Sequence, residues 1–162
     1  MTKNDAYIHS SSEVSEKCKI GEGPKIWHFS HIREGATIGK NVTIGQNVYI
    51  DKDVEIGDNC KIQNNVSIYK GVKIDNNVFI GPSVVFTNDV YPIVDGWSDK
   101  KIVHTHIKND VSLGANSTIL AGVTIGEFTL VGAGSVVTKS LPSNCIVYGN
   151  PAKIKSEDYR KE

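Results

Sequence analysis

A chain of 162 residues with 18 Lys and Arg against 18 Asp and Glu carries no formal net charge at pH 7, and no segment gathers a basic stripe. That balance argues against nucleic acid as a partner. No run approaches the roughly 18 apolar residues of a membrane span, and the opening "MTKNDAYIHSSSEV" lacks the apolar core of a signal peptide. A cytoplasmic protein with no membrane partner is therefore expected, and the length suits one well-buried domain.

From Ile8 onward the chain keeps a six-residue metre. Ile8, Val14, Ile20, Ile26, Ile32, Ile38, Ile44, Ile50, Ile56, Ile62, Ile68, Ile74 and Ile80 follow one another without a miss, and Phe86 keeps the frame. Two residues before these positions stands a second small apolar column that includes Val42, Val48, Val54, Cys60, Val66, Val72, Val78 and Val84. Gly often follows the first column (Gly39, Gly45, Gly57, Gly81, Gly114), and Asn often falls three residues after it (Asn41, Asn47, Asn59, Asn65, Asn77, Asn116). Both residues tolerate the positive φ of tight turns, so a short strand and a turn are expected every six residues. Such units stack as a quasi-one-dimensional parallel solenoid. Cys18 and Cys60 sit in the small inward column, and three cysteines cannot all pair, so reduced packing residues are expected at Cys18, Cys60 and Cys145.

The metre fails in "FTNDVYPIVDGWSDKKIVHTHIKND", Phe86 to Asp110. The next wall residue is due at position 92 and arrives at Ile107, an excess of 15 residues, after which Leu113, Ile119, Ile125, Val131 and Val137 restore the spacing. A loop of that length inside a compact domain is usually functional. This one carries Asn88, Asp89, Tyr91, Trp97, His104 and His106. Beyond residue 150 the charged ending "KIKSEDYRKE" reads as a short helix or tail at 151–162.

The motifs "IGKNVTIGQNVYI" and "ILAGVTIGEFTLVGAGSVVTKSLP" resemble the hexapeptide-repeat acyltransferases. That resemblance implies an all-β, left-handed parallel β-helix with three hexapeptides per coil, about seven coils, over residues 1–150, with the loop at 87–106 protruding from one corner. Within it, "IWHFSHI" together with "FTNDVYP" resembles the N-acetyltransferases that modify amino groups of nucleotide-linked sugars, particularly 3-amino sugars destined for bacterial surface polysaccharide. The resemblance implies acetyl-CoA as co-substrate and a homotrimer with active sites between chains. That group often has Arg after the proline, whereas here Ile93 stands there. The departure favours a neutral dideoxy sugar on dTDP over a uronate on UDP.

The same resemblance gives Asn88 the positioning of the acceptor amine, because an amide carbonyl accepts a hydrogen bond and aims the lone pair without acting as a base. A proton must leave, and His104, His106 or His31 could take it, as could the departing CoA thiolate. Residues flanking wall positions point outward, so His31, Arg33, Tyr49, Asp51, Ser67 and Tyr69 should form one strip, with Lys52 and Lys70 at the corner beneath the loop. With His28, Asp89 and Tyr91, these are candidate ligands of a nucleotide diphosphate sugar. For CoA the resemblance implies backbone contacts at Gly114, Ala115 and Ala133, with Lys139 and Lys153 meeting phosphates. Two rival enzymes share the fold, a sugar or serine O-acetyltransferase and a zinc-dependent carbonic anhydrase. A catalytic zinc wants three protein ligands, which sharing between subunits could complete from the pairs His104 and His106, and His28 and His31. The related carbonic anhydrases, however, place their ligands on wall-flanking positions of the regular coils, whereas His104 and His106 lie beside the long loop, so no metal is expected.

Overall fold

The computed structural model describes residues 5–95 and 98–157. Nearly every hexapeptide contributes a strand of two residues, and each strand pairs in parallel with the one a full coil later, as Lys25–Ile26 does with Thr43–Ile44 and that in turn with Lys61–Ile62. Three sheets result, of nine, seven and six strands, which form the three faces of a left-handed parallel β-helix. Across the loop the register holds: Ile80 stands against Leu113, Phe86 against Ile119, and Ile74 against Ile107.

The wall residues Ile26, Ile32, Ile44, Ile50, Ile62, Ile68, Ile80 and Phe86 are completely buried, and the second column from Val42 to Val84 lines the same interior. Burying each Ile side chain contributes about 1.5–3 kcal/mol, and one coil contributes three such residues. Cys18, Cys60 and Cys145 are free and buried, and burial pushes the Cys60 thiol up to about 11, which leaves it an inert packing group.

The corners divide the work of Asn and Gly in a way that composition alone does not reveal. All six of the repeating asparagines adopt φ between 55° and 61°. They also form ladders up the corners, with Asn41 Nδ2 donating to Asn59 Oδ1 at 3.3 Å and Asn47 Nδ2 to Asn65 Oδ1 at 3.0 Å. The glycines that follow the wall residues are not at positive φ, contrary to the sequence expectation; they are required by close approach. A Cβ on Gly39 would stand 2.5 Å from the carbonyl carbon of Gly57 in the next coil, and one on Gly81 would stand 2.7 Å from the Ala115 nitrogen.

Two expectations change at the C-terminal end. The first face carries an eighth parallel strand, Cys145–Gly149, so the solenoid has about eight turns rather than seven. Where a short helix or tail is expected, Ala152–Glu157 instead forms a strand that pairs antiparallel with Cys145–Gly149. The reason is the open edge of the last coil, whose unpaired backbone groups offer hydrogen bonds that an isolated helix of so few residues could not match. Lys155 Nζ also lies 4.9 Å from the centroid of the Tyr148 ring. Residues 158–162 lie outside the described residues. Among the described residues no helix is long and apolar enough to cross a membrane.

Candidate active site

The strip anticipated on the second face exists, and one carboxylate organises it. His31, Tyr49 and Ser67 stand in register on successive coils. The His31 and Tyr49 rings meet edge to face at 5.7 Å, and Tyr49 and Tyr69 lie 5.9 Å apart. Asp51 Oδ1 accepts from Arg33 at 3.2 Å, from the Tyr49 hydroxyl at 3.1 Å and from the Lys52 amide at 2.8 Å, while its Oδ2 accepts from the Lys70 amide at 3.2 Å. Burial pushes the Tyr49 phenol up, as does the charge of Asp51, so Tyr49 remains a donor at neutral pH. Arg33 is clamped between Asp51 and Glu34, whose carboxylate it meets at 2.9 Å.

The loop rises from the corner between the second and third faces, and its root is built on the dipeptide Lys70 and Gly71. The outgoing arm is held by Asn88, whose Nδ2 donates to the Lys70 carbonyl at 3.1 Å, and by Thr87, whose hydroxyl accepts from the Ala121 amide at 2.9 Å. The returning arm is joined to the outgoing one where the Val103 amide donates to the Asn88 carbonyl at 3.0 Å. It packs Ile102 on Gly71 and Val103 on Gly122, two glycines at φ 95° and 84° that leave room for nothing larger. Between the arms a 3-10 turn, Asp99–Lys101, brings Asp99 Oδ2 to 2.6 Å from Lys70 Nζ, which Asp53 also approaches at 3.4 Å. The hydrogen bond from Lys70 is the main reason that the Asp99 carboxyl lies below the usual carboxylate range.

The two loop histidines have different surroundings. His104 is exposed beside a small cavity lined by Asp53, Glu55, Lys70, Gly71 and Lys73. His106 lies in the strand Thr105–Ile107 on the third face, with Nε2 at 2.9 Å from Asp75 Oδ1. Asp89 accepts from the Tyr91 amide at 2.8 Å, and Tyr91 is 81% exposed. Trp97 lies outside the described residues. Among the described residues no three His, Cys, Asp or Glu side chains gather as a metal site.

The remaining candidates lie elsewhere on the molecule. His28 lies against His9, with ring centroids 3.5 Å apart and the planes tilted by 31°, at the opposite edge of the second face from the loop. Gly114, Ala115 and Ala133 occupy that same edge several coils further on, because they precede the second-face strands Thr118–Ile119 and Val136–Val137, whereas Asn88 follows such a strand. Lys139 and Lys153 are exposed, the latter in the C-terminal strand on the first face. One chain thus carries the loop group and the backbone group on two edges of one face, separated by that face's width. Sequence reasoning overlooked Asp99, the organising role of Asp51 and the seats at Gly71 and Gly122. The legible signal for the glycines was their position: three residues past a wall residue, where Asp53 and the asparagines otherwise stand.

The family model described as "Bacterial transferase hexapeptide (six repeats)" matches residues 17–52, 53–88 and 104–139, stopping and resuming at the loop. The chain is 53% identical over 149 residues to the dTDP-3-amino-3,6-dideoxy-alpha-D-galactopyranose 3-N-acetyltransferase of Aneurinibacillus thermoaerophilus, which covers 92% of this chain and 77% of that one. Among solved structures it resembles a mutant of perosamine N-acetyltransferase from Caulobacter crescentus in complex with CoA and GDP-perosamine, with a TM-score of 0.59 and 26% identity. That match covers 94% of this chain but only 57% of the neighbour's length. It also resembles a hexapeptide-repeat acetyltransferase of Vibrio cholerae complexed with acetyl coenzyme A, with a TM-score of 0.66, 29% identity, and coverage of 76% and 70% of the two chains. With its repeats matched over most of its length and a relative identical at more than half of the aligned positions, this chain belongs to the hexapeptide-repeat bacterial transferases, among their N-acetyltransferases.

Proposed function

We propose that this chain transfers the acetyl group of acetyl-CoA to the amino group of a 3-amino-3,6-dideoxy sugar carried on dTDP, a cytoplasmic step toward bacterial surface polysaccharide. The observation that carries this reading is the likeness to the Aneurinibacillus enzyme, which extends over nearly the whole chain. Ile93, where a cation for a sugar carboxylate would otherwise stand, supports a neutral sugar.

The chemistry is centred on Asn88. Its Nδ2 donates to the Lys70 carbonyl, which can only accept, so the amide cannot usefully flip and its Oδ1 keeps a fixed direction. Oδ1 accepts an N–H of the sugar amine and aims the lone pair at the thioester carbonyl; orientation of this kind can supply much of an acyl transfer's acceleration. The C–N bond forms, the C–S bond breaks, and the proton released by the amine goes to the departing thiolate or to His104 or His106. Arg33, Tyr69, Lys70, His28, His31, Asp89 and Tyr91 are the acceptor's candidate ligands. CoA is read along the backbone at Gly114, Ala115 and Ala133, with Lys139 and Lys153 toward its phosphates. Because the two groups lie on opposite edges of the second face, a homotrimer in which the loop of one chain meets the backbone edge of its neighbour gives the most compact site.

The test is release of CoA thiol by purified protein with acetyl-CoA and a panel of amino-sugar nucleotides. The dTDP-linked 3-amino-3,6-dideoxyhexoses are expected to give the highest kcat/KM. Preference for a UDP-linked uronate, or for a sugar hydroxyl, would overturn the reading.

A further inference from the structure

Its place in the sequence makes Lys70 a candidate for the substrate's phosphates, yet its surroundings point to a different use. Its ammonium lies 2.6 Å from Asp99 and 3.4 Å from Asp53. Its amide donates to Asp51 and its carbonyl accepts from Asn88. One residue therefore touches both arms of the loop, the outgoing arm through its backbone and the returning arm through its side chain. Its neighbour Gly71 supplies the floor on which Ile102 rests. Lys70 with Asp99 joins the turn between the two arms to the coils, as His106 with Asp75 does where the chain re-enters the third face.

We propose that Lys70 and Asp99 are a positioning pair for the transfer reaction: they clasp the returning arm of the loop against the coil that holds Asn88, fixing the separation between Asn88 and His104, and they do so without touching the substrate. The proposal rests on the loop being part of the acetyl-transfer site, and it reassigns Lys70 from phosphate ligand to loop anchor. Two features carry it. The ammonium is already committed to two carboxylates, which leaves a diphosphate at most its third N–H and a cation whose charge is already matched. The carboxylate at 2.6 Å belongs to the loop itself, at the 3-10 turn Asp99–Lys101 between the two arms. Exposed ion pairs contribute little to global stability, so the effect of this pair is on loop position and not on the solenoid.

The two assignments make opposite predictions for Asp99. If Lys70 binds phosphate, Asp99→Ala frees the cation and leaves the sugar-nucleotide KM unchanged or lower, while Lys70→Ala raises it. If the pair is a clasp, Lys70→Ala and Asp99→Ala each lower kcat by about tenfold, as misplacement of a positioned group does. The double variant is then no worse than either single one, and Asp99→Glu and Lys70→Arg retain most of the activity. Asp53→Ala, which removes the partner on the coil but not the one on the loop, leaves kcat near that of the starting protein. Amide exchange at Val103, whose N–H closes the loop root, provides a readout that needs no acceptor. It is expected to quicken about tenfold in Lys70→Ala and Asp99→Ala alike, with exchange in the coils unchanged. Unaltered Val103 exchange in both variants, or additive losses of kcat in the double variant, would overturn the clasp. If transfer activity itself is not found, the exchange measurement still decides the anchor, and only the assignment of function fails.

Discussion

The regular coils and the loop at 87–106 are held by different kinds of force. In the coils every strand finds its partner one turn away, the wall side chains from Ile20 onward are buried, and the corner asparagines repeat the same bond from coil to coil. Removing one contact there leaves a void in a continuous core. The loop is secured at its root by the Asn88, Thr87 and Val103 hydrogen bonds, by two glycine seats and by the Lys70–Asp99 ion pair, while Val90, Tyr91, Ile93 and Val94 stand exposed. The coils store stability and the loop stores position. Changes in the first should therefore be read in folding free energy, and changes in the second in rate.

The sharpest break of that contrast compares two aromatic truncations. Phe86→Ala, at a wall position with no exposure, is expected to lower the unfolding free energy by about 3–5 kcal/mol. Tyr91→Ala in the loop should stay within about 0.5 kcal/mol. Denaturant unfolding of both variants checks this, and a comparable loss for Tyr91 would show that the loop is part of the cooperative core. Next in size is Asn88→Ala, where loss of amine positioning should cost about 100-fold in kcat but only about 1 kcal/mol in stability. His104→Ala and His106→Ala should each lose less than about tenfold if the thiolate receives the proton; a loss approaching 1,000-fold in either would make that imidazole the base. Lys139→Ala should raise the KM for acetyl-CoA a few-fold and leave that for the sugar nucleotide unchanged, as measured by initial rates with each substrate varied in turn.

The sequence disclosed the coils so fully because a solenoid makes tertiary contacts periodic. Once Ile62 is known to face inward, Ile44 and Ile80 are its neighbours by arithmetic, and the same counting put His31, Tyr49 and Tyr69 on one strip. Counting also located the loop, since Ile107 returns in register with Ile74. It could not describe the loop's interior, where contacts are aperiodic. Nothing in the spacing links Lys70 to Asp99, 29 residues away. Spacing does separate a glycine at positive φ, such as Gly71 three residues past a wall residue, from one needed for close approach, such as Gly39 directly after one, but it does not reveal that Ile102 rests on Gly71. The C-terminal strand was missed for a related reason. A polar decapeptide carries no strand pattern of its own, and its conformation comes from the open edge beside it.

The smallest expected effect is a pH dependence confined to the clasp. Lys70 is raised chiefly by the hydrogen bond it donates to Asp99, with Asp53 adding to it, and Asp99 is lowered chiefly by the bond it accepts from Lys70. For Asp99 the folded pKa lies below the unfolded one, so its contribution is fully present above the ordinary carboxylate range and is lost as pH falls through the lowered value. For Lys70 the folded pKa lies above the unfolded one, so its contribution is present below the ordinary lysine range and is lost as pH rises through the raised value. Neutral pH lies between these limits and the pair is fully formed there. Because Asp99 is about half exposed, screening keeps the effect on unfolding small. The carboxyl carbon shift of Asp99 followed by NMR is therefore the measurement of choice. Its midpoint should lie below the usual aspartate value in the starting protein and return toward that value in Lys70→Ala. A midpoint that does not move when Lys70 is removed would mean that the carboxylate is held by something other than the clasp.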